Sequence, residues 1–77
     1  MIHHRVYSAI VAVVRSGQLT EPFTQADFQR ACPGFGLGTY TAFLHKHRLD
    51  NPGGNSELFE LVNPGQFKLL RPIRYGL

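Results

Sequence analysis

The run Asp50-Asn51-Pro52-Gly53-Gly54-Asn55-Ser56 constrains this chain more than any other stretch, because nearly every residue in it is a turn former or a helix breaker. No helix can pass through it. Upstream, apolar residues recur at helical spacing, whereas downstream they alternate over two short runs. The expected fold class is therefore α+β, with a helical part followed by a short β part, and 77 residues make one domain.

Ile2, Val6, Ile10, Val13 and Val14 share one face of a helix, and Gly17 follows as a stop signal, so a first helix is expected over about residues 2 to 16. The β-branched residues Val11 to Val14 favour a strand locally, but the length of the periodic pattern favours the helix. Gln18 to Phe23, interrupted by Pro22, is a connection holding at most a very short extended piece. Thr24-Gln25-Ala26-Asp27 resembles a capping box with Asp27 in the place usually held by Glu or Gln, and Phe23 can staple onto Phe28. A second helix thus runs from about Thr24 to Cys32, where Pro33-Gly34 ends it.

Phe35-Gly36-Leu37-Gly38 reads as a glycine-rich turn whose two apolar residues tuck into the core, with Thr39 as the cap of a third helix reaching Arg48. On that helix Tyr40, Phe43, Leu44 and His47 point inward, and Thr41, Ala42, His45, Lys46 and Arg48 point outward. The outward set is small near the start and basic near the end. Such a face suits a major groove, since small side chains permit close approach and cationic ones reach bases or phosphates. It equally describes a surface helix whose cations complement the dipole at its C-terminus.

Beyond the loop, Leu58 to Val62 and Gln66 to Leu70 flank Asn63-Pro64-Gly65, with Pro and Gly placed for a tight turn between antiparallel strands. Alternation puts Phe59, Leu61, Phe67 and Leu69 on one face and Glu60 and Lys68 on the other. A lone hairpin is marginal, so the apolar face must cover the helices. Residues 71 to 77 form a basic, proline-broken tail.

The totals exclude several classes. Hydrophobic residues make up 43% of the chain, which argues for a globular core, and no apolar run is long enough to span a membrane. The single Cys32 cannot form an internal disulfide, so a reducing, cytoplasmic setting is expected. Net charge is +3, compatible with a nucleic-acid partner without requiring one. His45 and His47 are two apart on a helix and diverge, and His3-His4 stand at the terminus, so neither a metal nor another cofactor is expected. The glycine turn lacks the preceding strand and following Lys-Ser/Thr of a phosphate loop. No acidic pair is brought together by spacing and Cys32 has no orienting base, so no enzyme is expected.

The order helix, helix, glycine turn, helix, Pro/Gly loop, hairpin resembles the winged-helix variety of helix-turn-helix domain, and the closing strands resemble the end of small HARE-type winged-helix domains. The resemblance covers roughly residues 2 to 70 and rests on element order and apolar spacing. It implies a three-helix bundle with a two-stranded wing, and double-stranded DNA as partner in a role such as transcription regulation. Helix three would carry Thr39, Thr41, Ala42, His45, Lys46 and Arg48 to DNA, while Lys68 and Arg71 would meet phosphate. One departure is the wing tip, Asn63-Pro64-Gly65-Gln66, which bears no charge. The alternative expectation is a protein-docking or homodimerising module without DNA binding, in which exposed apolar residues such as Tyr7, Val11 or Tyr75 dock a partner, Tyr7 and Val11 forming a second apolar strip on helix one.

Overall fold

Three helices followed by a two-stranded antiparallel hairpin make up the α+β fold of the computed structural model, which describes residues 5–50 and 57–71. The first helix, α1, covers Arg5–Arg15 and ends where Gly17 takes a φ of +85°, the left-handed region that glycine enters without strain. Its expected start near residue 2 lies outside the described residues, as does most of the Pro/Gly loop. The buried face of α1 differs from the expected one. Tyr7, Ile10 and Val11 are buried, while Val6, Val13 and Val14 are only half-buried. Tyr7 turns inward because its ring meets Phe59 edge-on at 6.0 Å, a contact with more apolar area than a valine could supply there. With Tyr7 at 1% and Val11 at 3% exposure, the exposed apolar strip expected on α1 does not exist. Tyr75, the other candidate docking residue, lies outside the described residues.

Helix α2, Gln25–Ala31, begins at the expected box: the Asp27 amide donates to Thr24 Oγ1 at 3.1 Å and the Thr24 amide donates to Asp27 Oδ2 at 3.0 Å. Phe23 and Phe28 are both fully buried, each edge-on to an aromatic ring of another element, Phe59 and Tyr40 respectively. Helix α3, Leu37–Lys46, starts earlier than expected. Its N-cap is Gly36, which makes no side-chain cap, so Thr39 stands inside the first turn and does not cap the helix. Leu37 consequently opens the helix ahead of Tyr40, and it is 70% exposed where a core position was expected; Phe35 is half-buried against Tyr40.

Strands β1, Phe59–Asn63, and β2, Gln66–Leu69, pair antiparallel as expected, and their register sets Phe59 opposite Leu69 and Glu60 opposite Lys68. Pro64-Gly65 closes them, Gly65 at φ +73°, and a bulge falls between Leu61 and Asn63. Phe59, Phe67 and Leu69 are buried and Leu61 is half-buried. Both edges of the hairpin are extended by single pairs. Phe23 and Phe67 exchange two backbone bonds of 2.8 Å, and on the other side the Leu49 amide donates to the Phe59 carbonyl at 2.7 Å. Phe59 is the hub of the core: rings from α1 (Tyr7), the connection before α2 (Phe23) and α3 (Phe43) all meet it edge-on between 5.8 and 6.3 Å. No described helix is long and apolar enough to cross a membrane.

Candidate nucleic-acid interface

Helix α3 is held from three directions. Tyr40, Phe43 and Leu44 face the core, as their spacing requires, and His47 beyond the helix end is also buried. The Tyr40 hydroxyl donates to the Cys32 carbonyl at 2.6 Å and accepts the Phe35 amide at 3.0 Å, which ties the turn between α2 and α3 to α3 itself. At the other end the His45 ring stands edge-on to Phe67 of β2 at 5.1 Å, so the hairpin props the exposed end of the helix. The outer face of α3 is thereby fixed relative to both the turn and the hairpin.

That face carries Gly38, Thr41, Ala42, His45 and Lys46, all exposed. Thr39 is half-buried and, with Ala42, Lys46 and Val6 of α1, lines a groove of about 330 Å³ along the helix. Thr41 Oγ1 donates to the Gly38 carbonyl at 3.2 Å, so its hydroxyl proton is engaged within the helix. The five candidates Thr39, Thr41, Ala42, His45 and Lys46 therefore lie together on one surface.

The remaining cations divide by their partners. Lys46 and Arg48 make no ion pair with a described residue; Arg48 is half-buried beside a cleft that Asp50 and Glu60 also line. Lys68 lies 3.7 Å from Glu60 across the hairpin. Arg71 forms a two-pronged ion pair with Glu21, with bonds of 2.7 and 3.1 Å, and Arg30 pairs with Asp27. The Glu21 carboxylate also accepts the Leu69 amide at 2.7 Å. Burial pushes the Glu21 carboxyl up, but the Arg71 hydrogen bond, the Leu69 amide and the charges of Arg71 and Lys68 together hold it below its usual value. Asp27 is likewise held low, first by the Thr24 amide, against an opposing effect of burial, and further by the Thr24 hydroxyl and by Arg30. Of the candidate phosphate contacts, then, Lys68 and Arg71 already have carboxylate partners; Lys46 and Arg48 have none among the described residues, but only Lys46 stands on α3, because the helix stops at Lys46 instead of reaching Arg48, which pairs its backbone with Phe59 and lines the cleft with Asp50 and Glu60.

No protein-family model matches the chain, and comparison with curated proteins and with solved structures finds no match either. The site must stand on its own geometry. Burial pushes the Cys32 thiol up, which disfavours the reactive thiolate, and among the described residues no group of three or more His, Cys, Asp or Glu could hold a metal ion. Sequence reasoning missed three features. Gly38 on the exposed face was legible as a glycine inside a helical pattern, whereas Tyr40 as a turn clamp and Glu21 as the holder of Arg71 left no local trace.

Proposed function

We propose that the chain is a winged-helix domain that binds double-stranded DNA through α3, with the hairpin as its wing. The observation that carries the reading is the outer face of α3, where Gly38, Thr41, Ala42, His45 and Lys46 are exposed on a helix held at both ends. Arg30, Lys68 and Arg71 each lie against a carboxylate, while Lys46 in the last turn of α3, Arg48 two residues beyond it, and Arg5 and Arg15 on α1 have no ion-pair partner among the described residues. Small side chains beside Lys46 make an arrangement that fits a groove flanked by phosphates. Thr41, Ala42 and His45 lie nearest the bases, and Lys46 and Arg48 neutralise phosphate.

Two phosphate contacts imply weak binding with a shallow salt dependence. Affinity should fall about tenfold between roughly 50 and 200 mM salt, because each neutralised phosphate contributes a log–log slope of about −0.9. Fluorescence anisotropy with a labelled duplex at both salt concentrations tests this, together with the double variant Lys46→Ala/Arg48→Ala. The variant should bind every duplex more weakly and lose most of the salt slope; equal affinity in variant and parent would sink the reading.

A further inference from the structure

We infer that the DNA backbone runs from α3 across the groove toward the start of α1, where Arg5 holds a phosphate, and that the hairpin stays off the duplex. This rests on the DNA reading above and gives the direction in which the partner lies. The two flanks of α3 differ in charge. On the hairpin side the surface turns acidic past Arg48. Asp50 and Glu60 line one cleft with it, and the Asp50 amide donates to Glu57 Oε2 at 3.0 Å, so three carboxylates gather in that corner. Lys68 of β2 lies 3.7 Å from Glu60, and the turn Asn63-Pro64-Gly65-Gln66 carries no charge. Phosphates laid over the hairpin would meet like charge.

The α1 flank is the opposite. Neither Arg5–Arg15 nor Leu37–Lys46 contains an acidic residue. Val6, in the first turn of α1, lines the groove of about 330 Å³ together with Ala42 and Lys46 of α3. Successive residues of a helix step round it by about 100°. Tyr7 is buried, Val6 is half-buried in the groove and Arg5 is exposed, so three consecutive residues turn from the core through the groove to solvent. Arg5 therefore stands on the outer rim of the wall opposite Lys46, with no ion-pair partner among the described residues. A cation on each wall, with no carboxylate from either helix between them, suits the phosphates of one strand.

The experiment is an anisotropy titration of a labelled duplex against salt. A third phosphate contact raises the loss of affinity expected between roughly 50 and 200 mM salt from about tenfold to about fortyfold. Arg5→Ala should weaken binding and lower the log–log slope by about 0.9, and Arg5→Lys should keep the slope. Two controls should match the parent: Arg15→Ala, at the far end of the 11-residue helix and about 15 Å away, and Lys68→Ala on the hairpin. Each substitution changes an exposed side chain, so the fold is kept. The parent's slope in Arg5→Ala, or an equal loss in Arg15→Ala or Lys68→Ala, would overturn this placement and leave DNA binding standing. No binding by the parent even at low salt would overturn the DNA reading itself.

Discussion

Replacing Tyr40 by Phe removes one oxygen atom and should loosen the junction on which the placement of α3 depends. The ring is 4% exposed and packs edge-on against Phe28 at 5.2 Å, contacts that phenylalanine keeps. Its hydroxyl, however, serves two backbone groups: it donates to the Cys32 carbonyl at 2.6 Å and accepts the Phe35 amide at 3.0 Å. A buried polar group left without its partner costs about 1–3 kcal/mol. The bond to the Cys32 carbonyl is buried, so that group carries the full cost. The bond to the Phe35 amide is only partly buried, and water can replace it. The sum is about 2 kcal/mol, which for a domain of this size lowers the melting temperature by about 8–16 °C. Urea titration should show the midpoint falling with an unchanged slope, since the surface exposed on unfolding is the same. Amide exchange adds a local readout, with the Phe35 amide losing protection beyond the global change. A melting temperature within about 2 °C of the parent, where a 1 kcal/mol loss alone would give 4–8 °C, would refute the clamp.

Other perturbations probe the same structure elsewhere. Phe59→Ala removes the ring on which Tyr7, Phe23 and Phe43 converge and should cost about 3–5 kcal/mol, leaving little or no cooperative melting by near-UV circular dichroism; a well-folded variant would contradict its place as hub. Thr24→Ala breaks the capping box and should cost about 1 kcal/mol in urea titrations, with no measurable loss as the contrary result. Acid should destabilise the domain in a defined window. The Glu21 carboxyl has a lower pKa folded than its usual 4.5, so the unfolded chain binds more protons there; the stabilisation is complete above about pH 4.5 and is lost as pH falls through the folded value. Asp27 acts in the same direction around its usual 3.8. Glu21→Gln, measured from pH 3 to 7, should be less stable at neutrality yet lose less on acidification; an unchanged acid dependence would discount the Glu21–Arg71–Leu69 cluster.

What was legible in the sequence was local. The Thr24–Asp27 box, the stop at Gly17, the turn at Pro64-Gly65 and the two-residue alternation of the hairpin each depend on residues within a few positions, and each formed where expected. The misreadings share a tertiary cause. Which side of α1 is buried depends on where Phe59 arrives, so a periodic count chose Val6 and Val13 over Tyr7 and Val11. Gly36 starts α3 with its backbone alone, which hid the true helix start and placed Leu37 in solvent. The availability of cations was least legible of all. Arg71 meets Glu21 across fifty residues, and no spacing rule anticipates that pair. The surface of α3 was foreseeable as a pattern, whereas which of the candidate cations meet a carboxylate emerged only once the pairs were placed.

The central claim is that α3 is the surface that meets DNA, and amide chemical-shift mapping during titration with a short duplex at low salt tests it most directly. The shifts should concentrate on Leu37–Lys46 and continue into Arg48, with the buried side of α1 around Ile10 unaffected. Shifts centred on another surface, or no shifts at millimolar duplex, where non-specific DNA binding would already saturate, would contradict it.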